Sequence, residues 1–173
     1  AKENTALKTA ANELLAELKA NGELDKIINS FFDGSATFTY TNPVASVPTG
    51  ADRDNYLVVA TNAYFPPYEF YDDNNNIVGI DMEIAKLIAD ELDMELVIEN
   101  MDFDSVVASV GKQSIDIAMS GITITVERME VVNFSNPYYT ESIVVVCKAD
   151  DTSLASAGTV VDVLTTICKA TEE

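Results

Sequence analysis

Arg128 carries the most chemical information of any residue in this sequence. Between Asn55 and Cys147 the only basic residues are Lys86, Lys112 and Arg128. Lys86 falls on the polar face of a helical segment, and Lys112 follows the helix-ending Gly111, so both read as solvated. Arg128 falls in the first turn of a segment that Thr125 can cap, where a cation opposes the helix dipole. Bidentate capture of a ligand carboxylate would justify that placement. A salt bridge to one of the 29 acidic residues is the other reading. Just upstream, Ser120-Gly121-Ile122-Thr123 leaves a strand through a glycine, which lets backbone approach a ligand. Its hydroxyls and N–H groups could hold the same carboxylate, or the segment is an ordinary strand-to-helix turn. Phe65 and Phe103 could stack on a ligand, or, as is common beside a pair such as Pro66-Pro67, simply pack. Asp72, Asp73, Asp102 and Asp104 read as solvated loop carboxylates, and no spacing singles out a pair for acid–base work.

Composition narrows the chemistry further. The 173 residues hold 29 acidic and 10 basic side chains, a formal net charge of −19. No basic stripe exists to neutralise phosphates, so nucleic acid and an anionic membrane surface are poor partners. There is no histidine, which removes the commonest general base and metal ligand. Cys147 and Cys168 make neither a disulfide framework nor a zinc site. No cofactor or metal is indicated. No apolar run approaches the length of a membrane span. The chain opens AKENTALK without Met or an apolar leader, so a signal peptide is expected to be gone or never part of this sequence.

Elements of two kinds must position these residues. Asn4 or Thr5 can cap a first helix carrying Leu7, Ala11, Leu14, Leu15 and Leu18 at helical spacing, stopped by Asn21-Gly22. A second helix runs Glu23 to Phe32, with Asp33-Gly34 ending it. From Gly34 to Gly50 there is no charged residue, and the stretch reads as a linker in which Thr37–Thr41 could add an edge strand. Strands are then predicted at Tyr56–Thr61, Glu95–Glu99, Ile115–Met119 and Ile143–Cys147. Helices are predicted at Met82–Leu92, Ser105–Gly111 and from Thr125 through Val132, with a polar turn at Tyr71–Asn76. This alternation implies crossover units: an α/β, three-layer αβα domain with a mostly parallel sheet of about five strands. Residues 151–173 suit a strand or a helix, with the helix favoured. Ligands in such sheets bind beyond the carboxyl ends of the strands, where Asn62–Tyr68, Asp102–Asp104 and Ser120–Arg128 arrive.

Taken together, YLVVATNAYFPPYEF (56–70), IVGIDMEIAKLIADEL (77–92) and MDFDSVVASVGKQSIDIAMSGITITVERMEVVNFSNPYY (101–139) resemble the extracellular solute-binding proteins of polar amino-acid ABC transporters, with the type II periplasmic-binding fold. The resemblance covers about residues 55–150, which look like the first lobe of a two-lobed clamshell. It implies that Arg128 pairs with the α-carboxylate of a bound amino acid. Thr123 and the Ser120–Gly121 segment would bond the same group, and Phe65 and Phe103 would sandwich the ligand. Asn62 stands where the family places a polar residue reaching the ligand side chain or ammonium. An ABC permease as partner and an extracellular or periplasmic location, with lipid anchoring in a full-length parent, follow from the same resemblance.

Residues 1–34 resemble the two helices that normally close chains of this family, which implies a single 1–173 lobe in circularly permuted order. Residues 35–54 would be the joining linker, and 151–173 a tail in place of the second lobe. An unrelated N-terminal hairpin and a tandem array cut between copies are the alternatives. The expected function is amino-acid binding without catalysis, weak because the second lobe is expected to be absent. Enzymes of the same fold, such as arogenate or prephenate dehydratases and lytic transglycosylases, are one alternative, and a truncated or engineered lobe without activity is another. An open sheet edge near Ile143–Cys147 predicts a homodimer by strand pairing or tail exchange.

Overall fold

Tyr56–Thr61 forms β1, the central strand, and its run YLVVAT is buried at every position after the first. Burial on both faces is what a parallel strand covered by helices requires. β1 is flanked by Glu95–Asn100 on one side and Ile117–Ala118 on the other, both strands parallel to it. Tyr56 stands opposite Glu95, Thr61 opposite Asn100, and Val59 opposite Ile117. The computed structural model describes residues 4–38, 50–112, 114–141, 148 and 158. The chain divides into two compact units, Ala1–Tyr138 and Tyr139–Glu173, and the elements below belong to the first.

Side chains of a strand alternate between faces, and β1 shows it. Leu57 and Val59 enter one core with Ile84, Ala85 and Ile88 and with helical residues of the chain's start. Val58 and Ala60 enter a second core with Val97, Val106 and Ile115. Helices on either side of one parallel sheet give the three-layer α/β arrangement that the sequence predicts.

The helices follow their local signals. α1 spans Thr5–Ala20, with Asn4 as its cap accepting the Leu7 N–H at 3.1 Å. α2 spans Glu23–Asp33 and ends at Gly34 in the left-handed region. Ala11, Leu15, Leu18, Leu24 and Ile28 are buried in the core that holds Leu57 and Val59. Lys19 Nζ donates to the Pro137 carbonyl at 2.5 Å, and Asn12 Oδ1 accepts the Asn136 N–H at 2.7 Å. The first helices are therefore packed against the sheet domain.

A small antiparallel sheet was not anticipated. Its strands are β2 (Tyr64–Phe65), β3 (Glu69–Tyr71) and β4 (Ile77–Val78), in the order β2-β3-β4. Strands of two or three residues are too short to show alternation, so the sequence reads as loop there. The turn between β3 and β4 is built by Asp72, whose carboxylate accepts the Asn74 and Asn76 N–H groups at 2.9 and 2.7 Å. These bonds, those of Asn76 foremost, hold its carboxyl below the ordinary aspartate range. Asp72 is thus a turn anchor rather than a merely solvated loop charge.

α3 spans Ile80–Glu91 and begins two residues before the expected Met82. The reason is Gly79, at φ 141°, where a Cβ would lie 2.0 Å from the Tyr68 carbonyl oxygen. Only glycine permits that approach, and the chain turns straight into the helix. β5 is Glu95–Asn100. α4 is Phe103–Ser109, starting before the expected Ser105 because Asp102 takes the cap position. β6 is Ile117–Ala118, shorter than predicted. α5 is Val126–Val131, capped by Thr125 as expected. Of about five strands expected in the main sheet, three are found among the described residues. Thr37 and Phe38, expected to open an edge strand, are not in one; Phe38 packs instead on Phe31 and Phe70. The strand expected at 143–147 lies outside the described residues, as do 39–41 and, apart from residue 158, the tail 151–173.

Candidate functional site

The chain leaves β1, β5 and β6 on the same side, because parallel strands share a direction, and this brings three loops together. Two of them are tied at once. The Asn62 side-chain amide donates to the Met101 carbonyl at 2.8 Å, and Ala63 N–H donates to Asn100 Oδ1 at 2.8 Å. Asn62 is therefore half-buried and joins the end of β1 to the end of β5, with its amide nitrogen already engaged.

Arg128 and Phe103 meet above these ties. The Arg128 guanidinium lies 5.6 Å from the centre of the Phe103 ring, close enough for a cation–π contact. Its Nη1 donates to the Thr123 carbonyl at 2.9 Å. Among the described residues no carboxylate pairs with it. The salt-bridge reading of Arg128 thus finds no partner there, while five N–H donors on a half-exposed fork remain mostly open. Phe103 is 42% exposed and Phe65 47% exposed. Thr123 is exposed, and its described contact is through the carbonyl, which steadies Arg128. Phe65 stacks on Tyr68 at 5.3 Å and packs on Gly121, where a Cβ would lie 2.8 Å from its ring. No ring contact joins Phe65 to Phe103 among the described residues.

Ser120 is buried and Gly121 half-buried, and the Ser120 hydroxyl and Gly121 N–H bond to the interior. Ser120 is 2% exposed; its hydroxyl donates to Glu69 Oε1 at 2.9 Å and accepts the Asn62 N–H at 3.1 Å. The Gly121 N–H donates to Asp81 Oδ2 at 2.9 Å. The hydroxyl and the amide proposed for a ligand carboxylate are both already engaged from below. Asp81 also accepts the Tyr138 hydroxyl at 2.5 Å. Burial pushes the Glu69 carboxyl up to about 9, with the neighbouring Asp81 charge adding to the rise. Burial and the same Asp81 charge raise the Tyr138 hydroxyl as well. Glu69 is therefore protonated at neutral pH.

Sequence reasoning missed Glu69, Asp81 and Tyr138. A signal existed for Asp81: an acid set among Ile80, Met82 and Ile84 at the start of a buried helix. Glu69 carried none, because its strand is too short to reveal an inward face. No group of His, Cys, Asp and Glu that could hold a metal exists among the described residues. A hollow of ≈ 410 Å³ lined by Asn55, Tyr56, Asp90, Asp93, Met94 and Glu95 lies at the opposite end of β1, away from Arg128.

Comparison with known proteins places these features in a family. The model of the bacterial extracellular solute-binding proteins, family 3, matches residues 57–172, a span that includes most of the tail. The arginine-binding extracellular protein ArtP of Bacillus subtilis is 38% identical over 114 residues, 66% of this chain and 44% of its own length. ABC transporter arginine-binding protein 1 of Escherichia coli is 36% identical over 107 residues, 62% of this chain and 44% of its own. The chain thus spans less than half the length of these relatives. Among solved structures, the arginine-bound form of domain 1 from TmArgBP is 46% identical, covering 53% of this chain and 74% of that one, with a TM-score of 0.49. No helix among the described residues is long and apolar enough to cross a membrane.

Proposed function

This chain belongs to the bacterial extracellular solute-binding proteins, family 3, and from that premise we propose that it holds the α-carboxylate of an amino acid on Arg128. The observation that carries the proposal is the guanidinium laid over Phe103, steadied by the Thr123 carbonyl, with no carboxylate partner among the described residues. A ligand carboxylate would complete its fork by two parallel N–H bonds. Phe65 and Phe103 are both part-exposed, and in this reading their rings would cover the ligand's carbon skeleton. Asn62, through its side-chain carbonyl oxygen, would meet the ligand from the end of β1.

Arginine is the first ligand to test, because the relatives named above are arginine-binding proteins. The charge of this chain agrees with a cationic ligand: a net −19 attracts it and raises its encounter rate. The function proposed is binding without catalysis, with delivery to an ABC permease. Glu69 and Asp81, a neighbouring acid pair among the described residues, are both 0% exposed, which favours a structural over a catalytic use of them. The single-lobe, permuted organisation of 1–173, with a linker at 35–54 and a tail at 151–173, is part of the same proposal. So is a homodimer, which sedimentation at high protein and high salt would reveal, since salt screens the repulsion between acidic copies.

Titration calorimetry with the twenty amino acids tests the function. Binding of L-arginine, lost in Arg128→Ala with an unchanged circular dichroism spectrum, is the expected result. Binding that survives Arg128→Ala would put the site elsewhere.

A further inference from the structure

The turn that carries Thr123 and Arg128 is held from below by a buried acid pair that does not touch the ligand face. Glu69 comes from β3 and Asp81 from the first turn of α3, and both are 0% exposed. Glu69 reaches the turn through the Ser120 hydroxyl at 2.9 Å, and Asp81 reaches it through the Gly121 N–H at 2.9 Å. Ser120 passes the link on to the Asn62 N–H, so the loop after β1 is fixed by the same pair. Tyr138 closes the network on the far side of Asp81. Three separate elements thus converge on two consecutive residues, immediately before the segment that holds the guanidinium.

We propose that Glu69 and Asp81 are positioning residues, fixing through Ser120 and Gly121 the turn that presents Thr123 and Arg128 to a ligand carboxylate. The inference rests on the reading of Arg128 as the carboxylate-binding residue. Its chemistry is a division of labour between like groups. Two carboxylates buried side by side cannot both ionise cheaply, so one keeps its proton. Asp81 is the ionised member, because it accepts two donors, the Gly121 N–H and the Tyr138 O–H. Glu69 is the neutral member, raised by burial and by Asp81. Asp81 from α3, Tyr138 from the segment after α5 and Tyr68 beside β3 are the ionisable groups that face one another around it, with the Ser120 hydroxyl as the polar neighbour that lowers Glu69. Ionising Glu69 places a second negative charge against Asp81, and the bonds to Ser120 and Gly121 are the ones that must yield.

Nuclear magnetic resonance on the full chain tests this without any ligand. The Gly121 amide and the Arg128 Nε–H should move together through one alkaline titration, and Glu69→Gln should abolish it. That substitution keeps an acceptor for Ser120 and removes the ionisable proton. A Gly121 titration that leaves Arg128 still, or one that persists in Glu69→Gln, overturns the proposal. A second arm uses L-arginine and agmatine, its analogue without the carboxylate. Asp81→Asn should weaken L-arginine at least tenfold and leave agmatine unchanged, whereas a general loosening of the fold would weaken both equally. If the parent chain binds no L-arginine, the functional reading falls, and the resonance titration still decides whether the pair governs the turn.

Discussion

Two arginines stand at opposite ends of the same parallel sheet and are used in opposite ways. Arg53, before β1, donates to the Tyr56 carbonyl at 2.8 Å, to the Ser114 carbonyl at 2.5 Å and to the Asp116 carboxylate at 2.7 Å. Asp116 in turn accepts the Val58 N–H at 2.8 Å. The cation is consumed in joining β1 to β6 at their entry. Arg128, after β6, has one carbonyl and one ring face, and no carboxylate among the described residues. The same side chain is a rivet where both terminal nitrogens are tied to fixed acceptors, as in Arg53, and a receptor where they are not. What a guanidinium does here is decided by the acceptors the fold leaves within its reach.

The sharpest break of this contrast is Arg128→Ala. Removing a charge-paired contact costs ~2–5 kcal/mol, so L-arginine affinity should fall about thirtyfold or more in calorimetry. The melting temperature should stay within about 1 °C, since the side chain lies at the surface. Arg53→Ala should do the reverse. It leaves Asp116 without its cation and should cost about 2 kcal/mol of stability in urea unfolding, with ligand affinity unchanged.

Glu69→Gln sharpens the contrast between the ligand face and its buried support. The folded state keeps the Glu69 proton up to about pH 9, while the unfolded chain releases it near its ordinary value of 4.5. Unfolding therefore releases a proton across that window, and the stability owed to the neutral acid falls as pH rises through it. Below pH 4.5 variant and parent should melt alike. Between pH 5 and 9 the variant should gain on the parent by a few °C in thermal scans, and a constant difference would refute the assignment.

Gly121→Ala tests the packing between turn and ring. At φ 52° a side chain is strained by ~1–2 kcal/mol, and its Cβ would meet the Phe65 ring at 2.8 Å. The expected result is a few-fold loss of affinity with a small drop in melting temperature. Thr125→Ala is the mildest change. It removes the cap that accepts the Arg128 N–H at 3.3 Å and should cost about 0.5–1 kcal/mol locally, seen as faster amide exchange in α5.

The regular elements were legible because their signals are local. Leu15 and Leu18 mark the inner face of α1 by spacing, Leu24 and Ile28 that of α2, and the YLVVAT run marks a strand covered on both sides. Arg128 stood out because a cation in the first turn of a helix contradicts the helix's own field. The hairpin of β2, β3 and β4 escaped because its strands are shorter than one period of alternation, and only the Asp72 turn reveals them. Ser120 and Gly121 were identified as turn residues, yet whether their polar groups face a ligand or the interior depends on Glu69 and Asp81, which lie 51 and 40 residues away in the chain.

The sequence by itself determined the alternation of the longer strands and helices, the acidic net charge, and the family, because each is written in neighbouring residues or in composition. Tertiary structure decided which polar groups are engaged with one another and which stay open. Hydrogen bonding and desolvation depend on distance in space, and the chain brings Glu69 to Ser120, Asp81 to Gly121 and Arg128 to Phe103 only when the sheet has formed.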